Sequence, residues 1–327
     1  MPVAPLTHPA LYRDLADLPD KWRGNVLAIG NFDGVHLGHH AVIANARAHA
    51  DKLGCPLGVI LFDPHPRRFF APDAPSFRLT RIVTRARLLE AAGVDFTLAL
   101  PFDARMASCE AEDFITGLLV GDLQAKSIAI GHDFRFGKGR RGDITMLQAF
   151  GATHGFDVVT TQAVLQPDNE TPYSSSAIRQ YLRDGAPEKA ASLLGHDWAL
   201  EGEITTGDRR GHTIGFATAN MELDDYLHPA FGVYAVRAQI MSGALAGQWF
   251  DGVANLGMRP TVGTPQPRLE THLFDFEADI YGQYMSVALI DFIRPEQKFD
   301  GLDSLKAQIA RDSETARERL AARAAAC

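Results

Sequence analysis

Residues 30–40, with the sequence GNFDGVHLGHH, combine histidines, glycines and an aspartate directly after the apolar run VLAI. The Asp-Gly pair favours a turn, and the pattern after it predicts a helix that begins near Leu37. His36 and His39 are three positions apart, so they would share one face of the first helical turn. That end of a helix carries unpaired backbone N–H groups and positive partial charge, which bind phosphate. Two imidazole donors beside it would stabilise charge that develops on a phosphoryl group or on its leaving group.

Two other interpretations of these histidines remain open from the residues alone. His36, His39 and His40 could hold a metal ion, although adjacent histidines rarely turn toward the same ion. The histidines could instead be polar residues that cap a helix.

Two further polar motifs follow predicted strands. The stretch LFDPHPRRFF contains Asp63 and His65. The stretch GHDFRFGKGRRGD contains four basic residues, Arg135, Lys138, Arg140 and Arg141. In isolation the first stretch would be a rigid loop and the second a solvated charge patch. In a chain with a net charge of -8, basic residues at strand ends favour an anionic ligand instead.

The stretch YSSSAIRQYLRDG predicts a helix with a serine cap and a stop at Gly185. Ser175 and Arg179 are four positions apart, so a hydroxyl and a guanidinium share a face at the end of the helix that favours anions. A helix cap followed by surface arginines is the competing interpretation.

The second half of the chain offers oxygen ligands and a carboxylate. Thr218 and Asn220, in GFATAN, are two residues apart and carry uncharged oxygens of the kind that hold Mg²⁺ together with substrate phosphates. A β-turn with local hydrogen bonds would use the same residues. In RLETHLFDF, Glu270 and His272 point to one face of a predicted strand, where a carboxylate could take a proton from a hydroxyl nucleophile. A solvated strand glutamate is the alternative.

These motifs need a scaffold that places strand ends together. The first half alternates strand-like and helical runs, which predicts a doubly wound α/β domain with a parallel sheet and ligands beyond the carboxyl ends of its strands. From about Trp198, short runs between Gly-rich turns predict a small antiparallel β-barrel. One helix closes the chain, with Leu302, Leu305 and Ile309 on one stripe. The predicted boundaries are 1–186 for the first domain, 187–199 for a helical linker and 200–327 for the second domain.

Composition excludes several classes of protein. The 327 residues predict two domains, and 46% hydrophobic with 22% charged residues is typical of a globular chain. The negative net charge argues against broad binding of nucleic acid or of anionic membranes. The N-terminal stretch lacks a long apolar run, and Cys55, Cys109 and Cys327 are scattered, so we expect no secretory signal, no membrane span and a reducing cytoplasm.

Taken together, the motifs resemble those of bacterial bifunctional riboflavin kinase/FAD synthetases over nearly the whole chain. GNFDGVHLGHH resembles the HxGH signature of the nucleotidyltransferase superfamily, and the two strand-end motifs resemble (F/E)PHP and GxDFxFGxxRxGD. YSSSAIR is similar to (I/V)SSTxIR, with Tyr173 in the first place and Ser176 in place of Thr. GFATAN and LETHLFDF are similar to GFPTAN and (L/V)E(V/T)HLLDF of the kinase barrel.

The resemblance implies an FMN adenylyltransferase domain followed by a riboflavin kinase barrel, with riboflavin, FMN, FAD and ATP as substrates or products and Mg²⁺ as cofactor. For the adenylyltransferase it implies ATP-binding residues Gly30, Asn31, Phe32, Asp33, His36, His39, Ser175 and Arg179. It implies flavin-binding residues His65, Asp133, Phe134, Phe136, Gly137 and Arg141. For the kinase it implies ATP- and Mg²⁺-binding residues Gly207, Gly215, Thr218 and Asn220, with Thr218 and Asn220 as metal ligands. The implied catalytic residues are His36, His39, Arg179 and, as the base of the kinase, Glu270.

Two departures from the family pattern concern the kinase. Ala217 replaces a proline and His212 replaces an arginine. Loss of a φ-fixing proline typically costs about 0.4 to 1 kcal/mol of preorganisation. An FAD synthetase with a weak or inactive kinase barrel therefore remains an alternative, as do a flavin carrier without turnover and an adenylyltransferase for phosphopantetheine or nicotinamide mononucleotide. We expect small-molecule partners only, and a monomer or a weak homo-oligomer.

Overall fold

The computed structural model describes residues 7–166, 171–206, 218–259 and 266–326. Their contacts divide into two compact units. The sheet unit contains Thr7–Pro75 and Ile82–Ser174, and the barrel unit contains Ser76–Arg81 and the chain from Ser175 onward. Contacts thus group residues 76–81 and 175–186 with the barrel, whereas the sequence-based boundaries assign them to the first domain. Those boundaries stay a prediction.

The described part of the sheet unit contains a six-stranded sheet in which every pair of neighbours is parallel. Its strands are β1 (Leu11–Tyr12), β2 (Val26–Ile29), β3 (Leu57–Asp63), β4 (Phe96–Pro101), β5 (Ser127–Gly131) and β6 (Asp157–Thr161). All four residues of β2 are buried, as expected for a strand covered on both faces. The predicted parallel α/β sheet is confirmed, and only the short β1 was not predicted.

Helices cover both faces of this sheet, and each face has its own apolar core. They are α1 (Leu37–Leu53), α2 (Pro66–Phe70), α3 (Ile82–Ala91), α4 (Ala104–Ala107), α5 (Ala111–Asp113), which continues as a π-helix over Phe114–Asp122, and α6 (Ile144–His154). Short 3₁₀ turns lie at Leu15–Asp17, Asp20–Trp22 and Lys138–Arg140. Helix α1 ends at Gly54, which has the left-handed φ of 61° typical of a helix stop.

The strand order β1-β4-β3-β2-β5-β6 places the three polar loops together. From β2 the chain adds β3 and β4 on one side, and β5 and β6 on the other side. The order therefore reverses between β2 and β5, where an open α/β sheet forms its ligand crevice. The loops after β2, β3 and β5 share this carboxyl edge, as the sequence predicted.

The described part of the barrel unit contains a six-stranded antiparallel sheet in the order β7-β12-β9-β10-β11-β8. Its strands are β7 (Ala199–Glu203), β8 (Ala219–Glu222), β9 (Gly232–Ile240), β10 (Trp249–Arg259), β11 (Gln266–Leu273) and β12 (Tyr284–Pro295). A bridge between Thr205 and Asn220 joins the chain just after β7 to β8 and nearly closes the barrel. The predicted barrel is confirmed. Strand β8 was missed, because its four residues show no alternation and were interpreted as a turn.

The described part of this unit also contains three helices: α7 (Ser175–Arg183), α8 (Pro187–Leu194) and α9 (Leu302–Ala326). The predicted helix in the linker is confirmed as α8, and Gly185 has the predicted left-handed φ, at 71°. The predicted apolar stripe of the last helix is confirmed for Leu305 and Ile309, which are half-buried, but not for Leu302, which is 65% exposed. The buried face of α9 lies further along, at the four-residue spacing of Asp312, Ala316 and Leu320.

In the part of the chain that the structure describes, none of the helices combines the length and the apolar character needed to cross a bilayer.

Candidate active sites

The loop that links β2 to α1, residues 30–36, is called the histidine loop below. His36 caps α1, and its Nδ1 accepts a hydrogen bond from the backbone N–H of His39 at 3.3 Å. A second hydrogen bond runs in the opposite direction: Nδ1 of His39 accepts from the backbone N–H of His36 at 3.3 Å. The two rings stack, with centroids 3.6 Å apart and planes 19° apart. The predicted helix start and the shared face of the histidines are confirmed.

This reciprocal cap decides which nitrogen of each ring can meet a ligand. Because each Nδ1 accepts a backbone proton, each neutral imidazole carries its own proton on Nε2. His36 and His39 therefore present two Nε2–H donors at the N-terminus of a helix of 17 residues. Among the described residues there is no group of three or more His, Cys, Asp or Glu side chains that could hold a metal ion.

Because Gly38 has no side chain, the ring of His36 can pack against its backbone. A Cβ at this position would lie 3.1 Å from Cε1 and from Nδ1 of His36, and 3.2 Å from Cβ of Tyr173. On the other side, the ring of Phe32 packs against His39 with centroids 5.0 Å apart. The pair is thus held between a glycine and an aromatic ring.

The backbone of the histidine loop is strained. Phe32, Gly34 and Val35 have φ values of 47°, 87° and 42°. A non-glycine residue in the left-handed region costs about 1–3 kcal/mol and persists only where its surroundings hold it there. A buried ion pair lies at this point: Arg85 on α3 donates to Oδ1 of Asp33 at 2.8 Å and to the carbonyl of Asn31 at 2.9 Å.

Arg85 was not predicted as a functional residue. A signal did exist in the sequence, because positions 82, 85, 86 and 89 form the apolar stripe of the predicted helix, and Arg85 is a charge on that stripe. The direct contact with ATP that the family pattern implies for Asp33 stays a prediction; its carboxylate is 2% exposed in this structure.

The loop after β5, residues 131–143, is called the β5 loop. Phe136 pairs with Gly142 through backbone hydrogen bonds and is buried against Phe114. Phe134 stacks on Phe136 at a centroid distance of 5.7 Å and is the less buried ring of the two. Of the two phenylalanines predicted to pack on a flavin, Phe134 is therefore the accessible one. Gly137, with φ of 71°, approaches the backbone of Ala111 so closely that a Cβ would lie 2.7 Å from its Cα.

The basic side chains of the β5 loop are partly neutralised. Lys138 lies 2.8 Å from Glu110, and this hydrogen bond lowers the pKa of Glu110. Arg135 lies 2.9 Å from Asp143, whose pKa is lowered first by the backbone N–H of Met146 and then by Arg135. The sequence predicted basic side chains for an anionic ligand at this strand end, and it missed Glu110 because that residue precedes a different helix.

Arg141, the arginine predicted for the flavin site, has an accessible side chain. Its side chain is 75% exposed, and it lies 3.9 Å from Glu110. Asp133, near the start of the same loop, is also exposed.

The loop after β3 places His65 at the cap of α2, where its Nδ1 accepts from the backbone N–H of Arg67 at 3.0 Å. Three aromatic rings lie next to this cap and pack edge to face on one another: Phe69, Phe70 and Phe102. Phe70 is 68% exposed, which is unusual for a phenylalanine. This aromatic cluster was not predicted as functional, although the Phe-Phe and Pro-Phe pairs after two adjacent strands were visible in the sequence.

Ser175 and Arg179 lie on α7 in the barrel unit. Arg179 donates from Nε to the carbonyl of Phe77 at 2.7 Å, and its guanidinium lies over the ring of Phe77. Their contact with ATP phosphates stays a prediction.

In the barrel, strand register assembles a row of polar side chains. Glu270 on β11 lies directly opposite Asn220 on β8 and directly opposite Asn255 on β10. Opposite residues of antiparallel strands have Cβ atoms about 4.5–5.5 Å apart and point to the same face. The predicted kinase residues Glu270 and Asn220 are thus neighbours, and Asn255 is a third member that sequence reasoning missed.

Asn220 is buried and held in place by the backbone. Its Nδ2 donates to the carbonyl of Thr218 at 3.3 Å, so the amide oxygen points the other way. Its own carbonyl accepts from the backbone N–H of Thr205 at 2.8 Å. The predicted kinase residues Gly207 and Gly215, and the substituted positions His212 and Ala217, lie outside the described residues.

Comparison with known proteins identifies the family to which this chain belongs. The family model for FAD synthetase matches residues 18–177, and the model for riboflavin kinase matches residues 194–320. The bifunctional riboflavin kinase/FMN adenylyltransferase of Escherichia coli (strain K12) is 46% identical, over 90% of this chain and 92% of its own length. The chain belongs to the bifunctional riboflavin kinase/FMN adenylyltransferase family. The predicted resemblance is confirmed.

More distant relatives of the family carry the same name. The protein of Haemophilus influenzae is 41% identical over 94% of this chain and 98% of its own length. That of Bacillus subtilis is 35% identical, with 89% and 91% covered. Both the FAD synthetase and the riboflavin kinase domain of the family are present in this chain.

A solved structure confirms the fold. The crystal structure described as a macrolide-efflux protein from Streptococcus pneumoniae aligns with a TM-score of 0.81 at 31% identity, over 94% of this chain and 98% of that one. Its name carries no argument about this chain, because relatives of higher identity agree on a flavin-related name.

Proposed function

We propose that the two sites divide the synthesis of FAD into two steps. The barrel unit transfers the γ-phosphoryl group of ATP to the 5′-hydroxyl of riboflavin, and the sheet unit transfers the adenylyl group of a second ATP to the resulting FMN. The single observation that carries the second step is the stacked histidine pair, with two Nε2 donors at a helix N-terminus on the crevice edge of the sheet.

In adenylyl transfer, a phosphate oxygen of FMN attacks the α-phosphorus of ATP. The new P–O bond forms as the bond from the α-phosphorus to the α,β-bridging oxygen breaks, and pyrophosphate leaves. His36 and His39 donate to the phosphate oxygens where negative charge increases, together with the N–H groups of α1. Positioning and charge neutralisation suffice, so no covalent enzyme intermediate is needed. Ser175 and Arg179 remain candidate triphosphate ligands on their motif alone.

The flavin of FMN would lie on the loops after β3 and β5. Phe134 and the aromatic cluster beside His65 offer apolar ring faces of the kind on which an isoalloxazine stacks. Arg141 is exposed and supplies positive charge for the FMN phosphate.

In phosphoryl transfer, Glu270 takes the proton of the riboflavin 5′-hydroxyl as its oxygen attacks the γ-phosphorus, and ADP leaves. Asn220 and Asn255 lie on either side of Glu270 in the strand register and orient groups at the same face.

The donor set beside Glu270 fits Mg²⁺. The amide oxygen of Asn220 and the hydroxyl of Thr218 are hard, uncharged ligands, and substrate phosphates and waters complete such a shell. When bound, the ion would neutralise charge on the ATP phosphates.

The test is to incubate the purified protein with riboflavin and Mg-ATP and to separate the products by chromatography. We expect both FMN and FAD. FAD that forms only from supplied FMN would favour the inactive-kinase alternative, which the substitutions at His212 and Ala217 suggested. Neither product would refute the proposal and favour a flavin carrier.

Single substitutions separate the two sites. His36→Ala is expected to stop FAD formation while FMN accumulates. Glu270→Gln is expected to stop FMN formation while FAD still forms from supplied FMN. Equal loss of both activities in either variant would contradict the assignment of one step to each site.

A further inference from the structure

We propose that the buried ion pair between Arg85 and Asp33 positions the stacked histidines, so that Arg85 controls the use of ATP in adenylyl transfer without contacting the nucleotide. Arg85 is thus a positioning residue, and Asp33 acts through the histidine loop. The inference rests on the proposed role of His36 and His39.

The first observation is the burial and geometry of the pair. Arg85 is 3% exposed and Asp33 is 2% exposed. One guanidinium nitrogen lies 2.8 Å from Oδ1 of Asp33, and the other lies 2.9 Å from the carbonyl oxygen of Asn31. A planar guanidinium fixes two acceptors in one orientation, whereas an ammonium would not. Arg85 therefore clamps two points of the loop that are two residues apart.

The second observation is that the loop needs such a clamp. Three of its residues, Phe32, Gly34 and Val35, have left-handed φ values. Valine is β-branched, and a positive φ is a rare exception for such a residue. The cap of α1 holds the loop at its far end, at His36. Arg85 holds it from the near side, at Asn31 and Asp33.

The third observation connects the clamp to the histidines. Phe32 lies between the two residues that Arg85 binds, and its ring packs on His39 at a centroid distance of 5.0 Å. His39 in turn stacks on His36. Without Arg85, the buried Asp33 carboxylate would lose this ion pair, and the loop would rearrange to hydrate it. Phe32 would then move, and His39 would lose the aromatic ring that packs against it.

The experiment measures steady-state FAD formation from FMN and Mg-ATP for Arg85→Met and Arg85→Lys. We expect kcat/KM for ATP to fall about 100-fold in Arg85→Met, mostly through KM, because misplaced donors bind the triphosphate poorly. In Arg85→Lys we expect a fall of about tenfold, because an ammonium keeps the charge but makes one of the two contacts well. KM for FMN should stay within about twofold.

Arg47→Met is the matched control. Arg47 also lies in the sheet unit, on α1, and its ion pair with Asp95 has the same length of 2.8 Å. That pair is far along the helix from the histidines, so we expect KM for ATP to stay within about twofold of the unsubstituted protein. Riboflavin phosphorylation by the same samples gives an internal control for the barrel unit.

Asp33→Asn tests whether the pair acts as a unit. In the double variant with Arg85→Met, the loss should be smaller than the product of the two single losses, since both remove the same interaction. If Arg85→Met does not fold, Arg85→Lys and Asp33→Asn still decide the question. The near-ultraviolet dichroism of Trp22, which stacks on Phe96 at 5.2 Å, reports the fold of the sheet unit.

A purely structural role would lower the unfolding midpoint and kcat and leave KM for ATP unchanged in every variant, and that result would overturn the inference. His36→Ala, measured in parallel, separates this failure from that of the proposed function. If His36→Ala forms FAD at the normal rate, the role of the histidines is refuted. If it is inactive while the Arg85 variants keep a normal KM for ATP, only the positioning role is refuted.

Discussion

Substitution of Gly38 by alanine tests whether the stacked histidines must keep their position. In the structure a Cβ at residue 38 would approach Cε1 and Nδ1 of His36 to 3.1 Å and Cβ of Tyr173 to 3.2 Å. Apolar contacts are most favourable at about 3.5–4.0 Å, so the imidazole would have to withdraw by about 0.5 Å. Tyr173 blocks relief on the other side of the new methyl group, because it contacts the same Cβ.

Two opposing contributions determine how much Gly38→Ala changes the free energy of unfolding. An added methyl group in a packed site typically costs about 1–3 kcal/mol. Replacement of glycine by alanine in a helix gains up to about 1 kcal/mol in helix propensity. The unfolding free energy should therefore fall by no more than about 3 kcal/mol. The gain in helix propensity does not restore the position of His36, so the full cost of the added methyl group applies to catalysis. Because each 1.4 kcal/mol is a factor of ten, kcat/KM for FAD formation should fall about 10- to 100-fold.

The assay follows FAD formation from FMN and Mg-ATP, with riboflavin phosphorylation measured on the same preparation. Gly117→Ala is the matched control, because a Cβ at Gly117 meets nothing within 4 Å. It should leave both activities unchanged. A normal kcat/KM for FAD formation in Gly38→Ala would refute the reasoning, because the histidines would then tolerate displacement.

Three further predictions follow from other contacts. Arg294 and Asp312 form a mostly buried ion pair with a nitrogen–oxygen distance of 2.6 Å. Asp312→Ala removes this pair, so it should lower the free energy of unfolding, measured in urea, by about 3 kcal/mol. Gly137→Ala forces a methyl group onto neighbouring backbone at a left-handed φ, so it should abolish FAD formation and spare riboflavin phosphorylation. Asp143 has a pKa below its ordinary value of 3.8, mainly because it accepts the backbone N–H of Met146. Its charge therefore stabilises the fold fully above about pH 4, and this contribution disappears as the pH falls through the lowered pKa. Thermal unfolding of Asp143→Asn and of the unsubstituted protein should differ at pH 6, and the difference should shrink as the pH falls below the ordinary pKa of 3.8.

Each of these predictions has a contradicting result. A loss below about 1 kcal/mol for Asp312→Ala would mean that Arg294 is hydrated as easily as a surface charge. Equal loss of both activities in Gly137→Ala would mean that the β5 loop supports more than its own site. A difference for Asp143→Asn that stays constant with pH would show that the carboxylate charge contributes nothing to stability.

Local sequence patterns determined the type of each major element and the position of the histidine loop. A fully apolar run such as VLAI predicts a strand buried on both faces, and its neighbours predict helices that must cross over a parallel sheet. The cap of α1 at His36 and the stop at Gly54 depend only on residues adjacent in the chain. For the same reason, the shared face of His36 and His39 followed from their spacing.

The tertiary structure decided which distant residues meet. Asp33 and Arg85 are 52 positions apart, and only the packing of α3 against the histidine loop brings them together. Strand β8 was missed because four residues without alternation form a strand only when β11 supplies hydrogen-bond partners, and that pairing places Asn220 opposite Glu270. Leu302, Leu305 and Ile309 show the spacing of a buried stripe, yet Leu302 is exposed and the fully buried residues lie in a later part of α9. Periodicity reports which face of an element is apolar, whereas the partner of that face depends on long-range contacts that a local pattern does not contain.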